Sequence, residues 1–311
     1  MEPSLWKILV LAVVQGVTEF LPISSSGHLV IIASFLSTKE NAIEIADLNI
    51  VLHLGTLLSI LVFYFRRIVR LLNEDRRVAW LLILGTIPAA VIGLPIKMFF
   101  EGLLESRLLA GFMLIVTGWM LLWISRFQPG KGEYRKLSWL QTVLIGCSQA
   151  LALLPGLSRS GSTITAGLRC GLSPEQAATF SFLLAIPAIG GAGVLELAKF
   201  VIKKEVATTP VSFLAIGALV AFGVGIFSLW WLMRWIEKGR LQWFAAWCIP
   251  LGVFIVGLEL FGPAPVASSQ VDPPRPQVSR VAEPHETRLA SPQPHRSPGF
   301  QPVIAWLDSD R

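Results

Sequence analysis

"VVQGVTEFLPISSSGHL", Val13–Leu29, is apolar enough for a bilayer, yet it carries a glutamine, a glutamate, three consecutive serines and a histidine. Gln15 and Glu19 are four residues apart, so a helix places them on one face. Pro22 blocks continuation of that helix. Ser24, Ser25, Ser26 and Gly27 then form a polar turn from which a new helix, "HLVIIASFL", can start. The stretch reads as two half-helices around a polar break.

The chain repeats this plan. Laying Gln15 on Gln149 without a gap pairs "QGVTEFLPISSSG" (15–27) with "QALALLPGLSRSG" (149–161), so Ser24, Ser26 and Gly27 fall on Ser158, Ser160 and Gly161. Ser25 falls on Arg159. At a nearly equal offset, "LGTIPAAVIG" (84–93) aligns with "IGALVAFGVG" (216–225).

With 53% hydrophobic and 15% charged residues, the chain is far from the roughly 25% charge of a soluble globule. Six stretches, about 45–65, 78–98, 107–125, 176–198, 211–233 and 241–261, are long and apolar enough to span as helices. Glu237 and Glu259 read as span-end residues. The regions 5–36 and 138–170 are interrupted by Pro, Gly and serines, and fit half-helix pairs better than single spans. Glu2 spoils a basic leader region, so the N-terminus is read as part of the fold. Cys147, Cys170 and Cys248 are odd in number and scattered, which argues against a disulfide framework or zinc and leaves packing roles.

The expected architecture is therefore an all-α integral membrane protein of two inverted-topology repeats, about 1–125 and 138–262, each a re-entrant broken helical pair followed by three transmembrane helices. An odd number of spans per unit inverts the second copy. Residues 263–311 hold ten of the twenty prolines and balanced charge, and read as a disordered Pro-rich tail. Clusters at 66–77, 126–136 and 234–240 hold twelve Lys and Arg, against six at Lys39, 97–107 and 199–204. The positive-inside rule puts the first set in the cytoplasm and opens the first break to the outer face. The net charge of +6 suits anionic membrane lipids, and nothing suggests nucleic acid.

Two helix N-termini approaching the midplane from opposite sides would aim free N–H groups and positive dipole ends at one point, which suits an anion. Arg159 sharpens its identity, because a guanidinium in the membrane is kept for a carboxylate or phosphate partner. Ser24, Ser26, Ser158, Ser160, Gly161, Ser162 and Thr163 are the candidate phosphate-binding residues, against the plainer reading of caps and close packing. Glu19 cannot itself bind an anion, which leaves it to hold a divalent cation together with Gln15, or to manage a proton. His28 and Ser25 are candidate nucleophiles. His53 reads as an interhelical hydrogen-bonding residue with Asn49 one turn away.

"QGVTEFLPISSSGH" and "PGLSRSGST" resemble the two signature motifs, (E/Q)xxxE and PGxSRSGxT, of the undecaprenyl-diphosphate phosphatase family associated with bacitracin resistance. The resemblance covers residues 1 to about 262 and includes "LHLGTLL". It implies a bacterial inner-membrane hydrolase that converts undecaprenyl diphosphate to the monophosphate, recycling the carrier of peptidoglycan and cell-wall synthesis, with Mg²⁺ or Ca²⁺ as cofactor. It further implies that Glu19 is the essential acid, Ser25 and His28 the motif's serine and histidine, and Arg159 the phosphate-binding arginine. Gln15 stands at the first acidic position, so a metal cannot rest on two carboxylates of this motif. The favoured nucleophile is His28 in concert with Ser25, with a water activated through Glu19 as the alternative. A polyprenyl-phosphate transporter or flippase using the same anion site is the rival function. A lipid phosphatase of the type needing a second histidine is disfavoured, since none follows Arg159 before the tail. The association state of the chain stays open, a homo-oligomer included.

Overall fold

The computed structural model describes residues 5–36, 45–203 and 210–262. The expected tail at 263–311, and Lys39 and Lys204 of the charge count, lie outside the described residues. Among the described residues the fold is helical, with a single isolated bridge between Gly132 and Leu172.

Twelve α-helices are described. They are α1 (Leu5–Thr18), α2 (Ser25–Leu36), α3 (Ile45–Phe63), α4 (Phe65–Asn73), α5 (Arg76–Phe99), α6 (Glu101–Leu104), α7 (Arg107–Ile124), α8 (Trp139–Leu151), α9 (Arg159–Arg169), α10 (Pro174–Lys203), α11 (Val211–Glu237) and α12 (Ala245–Phe261). Five of them, α5, α7, α10, α11 and the segment ending in α12, are long and apolar enough to cross a membrane. A sixth crossing is α3 together with α4, bent by 73°. The chain is thus an integral membrane protein by length and apolarity of its helices, and outward-facing residues such as Trp80, Leu140 and Val211 carry the apolar surface that lipid requires.

The first expected span, 45–65, ends at a feature that apolarity alone did not mark. At Tyr64 the backbone leaves the helix, and "FRRIVRLLN" forms α4 at a steep angle to α3. Three arginines cannot continue into hydrocarbon, whereas Leu71 on the same helix is buried, so α4 turns aside as an amphipathic element.

Small residues set the helix pairs. α3 lies on α11, α1 on α11, α5 on α8, and α7 on α12. Where α7 crosses α12, Gly111 faces the Gly252 carbonyl and Gly252 faces the Gly111 carbonyl; between α5 and α8, Gly146 faces the Gly85 carbonyl while Gly85 faces Thr142 of α8. Bare backbones at the crossing let helices approach closely where water gives no hydrophobic drive. The short helix α1 packs on α11 as the short helix α8 packs on α5.

The polar loops gather on one side. Arg77 donates to the carbonyls of Arg135 and, at 2.5 Å, Leu137, while Arg135 pairs with Asp75 at 2.8 Å. The basic clusters 66–77 and 126–136 therefore lie together. Glu259, expected at a span end, pairs with Arg107 at 3.0 Å where α12 ends and α7 begins. Cys248 is buried as expected of a packing residue, but Cys147 is exposed on α8 and fills no core space.

Candidate active site

Helix α1 ends with the Thr18 hydroxyl donating to the Val14 carbonyl at 2.7 Å, and the Glu19 N–H still reaches the Gln15 carbonyl at 2.9 Å. Pro22 stops that run. Ser24 then adopts φ 71°, a left-handed conformation that costs a residue with a β-carbon about 1–2 kcal/mol. Its hydroxyl accepts from the Gly27 N–H at 3.3 Å and lies 3.3 Å from Ser26 Oγ.

The second break is built the same way. Pro155 and Gly156, with φ 90°, turn the chain, and Ser158 caps α9 by accepting from the Gly161 N–H at 3.1 Å, with Ser160 Oγ 3.2 Å away. Thus Ser24, Ser26 and Gly27 make the same two contacts as Ser158, Ser160 and Gly161. Capping serines satisfy orphaned helix donors, and the first N–H groups of α2 and α9 remain without intrahelical partners.

The breaks touch each other. A β-carbon on Gly27 would stand 2.8 Å from the Gly156 α-carbon, so the contact is backbone on backbone. Ser160 Oγ donates to the Leu21 carbonyl at 3.2 Å. Thr117 of α7 pins the second break from behind: its hydroxyl accepts from the Ser158 N–H at 3.0 Å and donates to the Gly156 carbonyl at 2.9 Å.

At this junction Arg159, the first residue of α9, forms an ion pair through Nη2 with Glu19 Oε1. Glu19 Oε2 accepts from Gln15 Nε2 at 3.0 Å and from the Ser25 hydroxyl at 2.6 Å. The carboxylate is almost wholly shielded, with 4% of its side chain exposed, so its charge is held by these partners and not by water.

The family model for "Bacitracin resistance protein BacA" matches residues 8–254, an interval that spans both breaks and every helix from α1 into α12. The chain belongs to the BacA family. It is similar to the undecaprenyl-diphosphatase of Rhodopirellula baltica, 53% identical over 257 residues, which covers 83% of this chain and 99% of the relative. The protein of the same name from Carboxydothermus hydrogenoformans is 40% identical over 260 residues, covering 83% and 98%. That of Corynebacterium diphtheriae is 35% identical over 269 residues, covering 82% and 94%.

In this BacA-family chain, several buried polar atoms around the junction have no protein partner: Gln15 Oε1, Arg159 Nη1, Ser162 Oγ and Thr165 Oγ1. Burying such groups unpaired is costly, and a phosphorylated ligand would satisfy the arginine and hydroxyl donors. Among the described residues no three His, Cys, Asp or Glu side chains cluster as a metal site. The donor set still fits a cation of the Mg²⁺ type, which needs few protein oxygens when substrate phosphates and water supply the rest. Glu19 offers a carboxylate, and the orphaned Gln15 Oε1 an amide oxygen.

His28 is placed differently from a free nucleophile. The Trp247 indole N–H donates to its Nε2 at 2.9 Å, and because indole only donates, Nε2 is the unprotonated nitrogen. Nδ1 therefore carries the proton and donates to the Ser24 carbonyl at 2.7 Å. Both ring nitrogens are committed, and the ring braces the strained Ser24. Thr163 likewise turns inward, to the Arg159 carbonyl at 2.8 Å and to Ser181.

His53 bonds through Nδ1 to the Asn49 carbonyl at 2.8 Å within its own helix, so that link is not between helices. Its Nε2 stands 3.5 Å from Glu19 Oε2 instead, which brings α3 into the site. Trp247 and Thr117 gave no motif signal. They meet the breaks only through folding, from α12 and α7.

Proposed function

We infer that this chain hydrolyses undecaprenyl diphosphate to undecaprenyl phosphate and inorganic phosphate, the activity named for its relatives. The observation that carries the reading is the Ser25 hydroxyl donating at 2.6 Å to a Glu19 carboxylate that is itself paired with Arg159. Nucleophile, base and phosphate-binding cation stand in contact, which is the geometry of an activated hydroxyl.

Ser25 Oγ attacks the terminal phosphorus, its proton passes to Glu19, and the bond to the bridging oxygen breaks to release undecaprenyl phosphate. Water then cleaves the phosphoserine, releases phosphate and restores the hydroxyl. Arg159 is shared: as its guanidinium turns to the phosphoryl oxygens, Glu19 gains basicity towards Ser25. Arg159, Ser26, Ser158, Ser160, Gly161 and Ser162, with the N-termini of α2 and α9, stabilise charge on the equatorial oxygens. His28 positions the Ser24 turn, which departs from the expectation that His28 is the attacking group. Mg²⁺ or Ca²⁺, held by Glu19 and the Gln15 amide oxygen, would supply charge neutralisation on the diphosphate.

Around this chemistry the reading keeps two inverted repeats, 1–125 and 138–262, with re-entrant breaks, followed by a separate tail. The matching serine caps and the reciprocal packing of α1 on α11 and α8 on α5 support it. Residence in the bacterial inner membrane, with the site opening outward, rests on the gathered basic loops. Transport needs no hydroxyl on Glu19, so the Ser25 bond favours hydrolysis over a carrier.

The test is phosphate release from undecaprenyl diphosphate by purified protein with Mg²⁺ or Ca²⁺. Wild type releases phosphate, and Glu19→Gln and Arg159→Ala each lose it while still binding lipid. Lipid binding by wild type with no phosphate release would overturn the reading in favour of a carrier.

A further inference from the structure

A basic concavity lies away from the junction. The corner between α3 and α4 opens into a cavity of about 870 Å³ that also takes residues from the start of α10 and the end of α11. Tyr64, at the corner, lies eleven residues beyond His53, which at 1.5 Å per residue is about 16 Å from the level of Glu19. The cavity is therefore distinct from the junction of the breaks.

Its charge is one-sided. Arg66, Arg67 and Arg70 enter from α4, and Arg234 and Lys238 from the end of α11; only Glu175 and Glu237 oppose them. Among the described residues none of the five cations forms an ion pair. Arg67 and Arg234 are instead held over the Tyr134 and Trp230 rings, at 5.5 Å and 4.3 Å. The wall is apolar, with Phe63, Phe65 and Trp230 exposed, and the buried Tyr64 forms the floor with its hydroxyl 3.5 Å from Met233 Sδ.

A basic loop at the end of a span is ordinarily a solvated face. Here two segments from opposite halves of the chain, 66–70 and 234–238, converge on one concavity with greasy sides. Anion above and hydrocarbon beside is the chemistry of a lipid.

We propose that this cavity seats the phosphodiester headgroup of an anionic phospholipid, with Arg66, Arg70 and Lys238 on the phosphate and the acyl chains along Phe63, Phe65 and Trp230. Arg67 and Arg234, fixed on aromatic rings, set the cavity's shape. The site ties α4 and the end of α11 to the membrane surface independently of substrate.

The experiment is native mass spectrometry of the full chain in detergent with phosphatidylglycerol, phosphatidylcholine or inorganic phosphate alone, for wild type and an Arg66→Gln/Arg70→Gln variant. Each basic side chain near an anionic surface is worth about a factor of five, so the variant should hold phosphatidylglycerol about 25-fold more weakly. Both arginines are exposed, and hydrolysis within twofold of wild type will show that the variant is folded. Preference for phosphatidylglycerol that the variant loses supports the site. Equal retention of the two lipids, undiminished retention by the variant, or displacement of phosphatidylglycerol by inorganic phosphate alone would overturn it.

Discussion

Ser25 and His28 lie three residues apart in one motif, yet their hydrogen bonds give them different roles. Replacing Ser25 by Ala removes the proposed nucleophile, and phosphate release should fall at least about 10³-fold with lipid affinity kept within a few-fold. Trapping the reaction with acid should leave phosphate on wild-type protein only. Trp247→Phe keeps the ring's bulk but loses the indole donor that fixes the His28 tautomer. One net hydrogen bond is worth about 1 kcal/mol, so kcat should drop about fivefold with KM nearly unchanged, because the tautomer protonated on Nε2 no longer donates from Nδ1 to the Ser24 carbonyl. A Trp247→Phe enzyme with the wild-type kcat would show that the tautomer fixed by Trp247 does not matter to the brace. At this scale the sequence was legible where contacts are local: Gln15 to Glu19 spans four positions and Ser24 to Gly27 three. Trp247 reaches His28 across 219 positions and Thr117 reaches Ser158 across 41, with no spacing to betray them. The proximity of His53 to Glu19 was hidden for the same reason.

Among the elements, the two breaks meet backbone on backbone, and their contact has no room for a side chain. Gly27→Ala would drive a β-carbon into the Gly156 backbone, which cannot rotate away as a side chain can. Overpacking of this kind costs about 1–3 kcal/mol, so Tm in detergent should fall by several degrees and hydrolysis with it. Gly102→Ala, in α6 with nothing within 4 Å, is the control and should change neither. The half-helices themselves were readable from Pro22, Pro155 and the serine runs, since a proline and a capping hydroxyl act on the chain next to them. The 73° bend at Tyr64 was not, because apolarity continues through "FYF" and only the arginines beyond it force the turn.

Across the whole molecule, the loops at 66–77 and 126–136 share one side, while Glu105 stands at the opposite end of α7 from Arg126. With Cys147 replaced by Ser, Lys131→Cys should react with an impermeant maleimide only after cells are opened, and Glu105→Cys should react in intact spheroplasts. The reverse pattern would turn the site inward. The site itself is divided between halves of the chain, Glu19 and Ser25 from one and Arg159 from the other, 140 positions later. Ribosomes add about 5–20 residues per second, so Glu19 is made about 7–28 s before its counter-charge. Until Arg159 is made, Glu19 has only Gln15, Ser25 and His53 of its own half beside it, so a chain cut between the halves holds a carboxylate without its guanidinium.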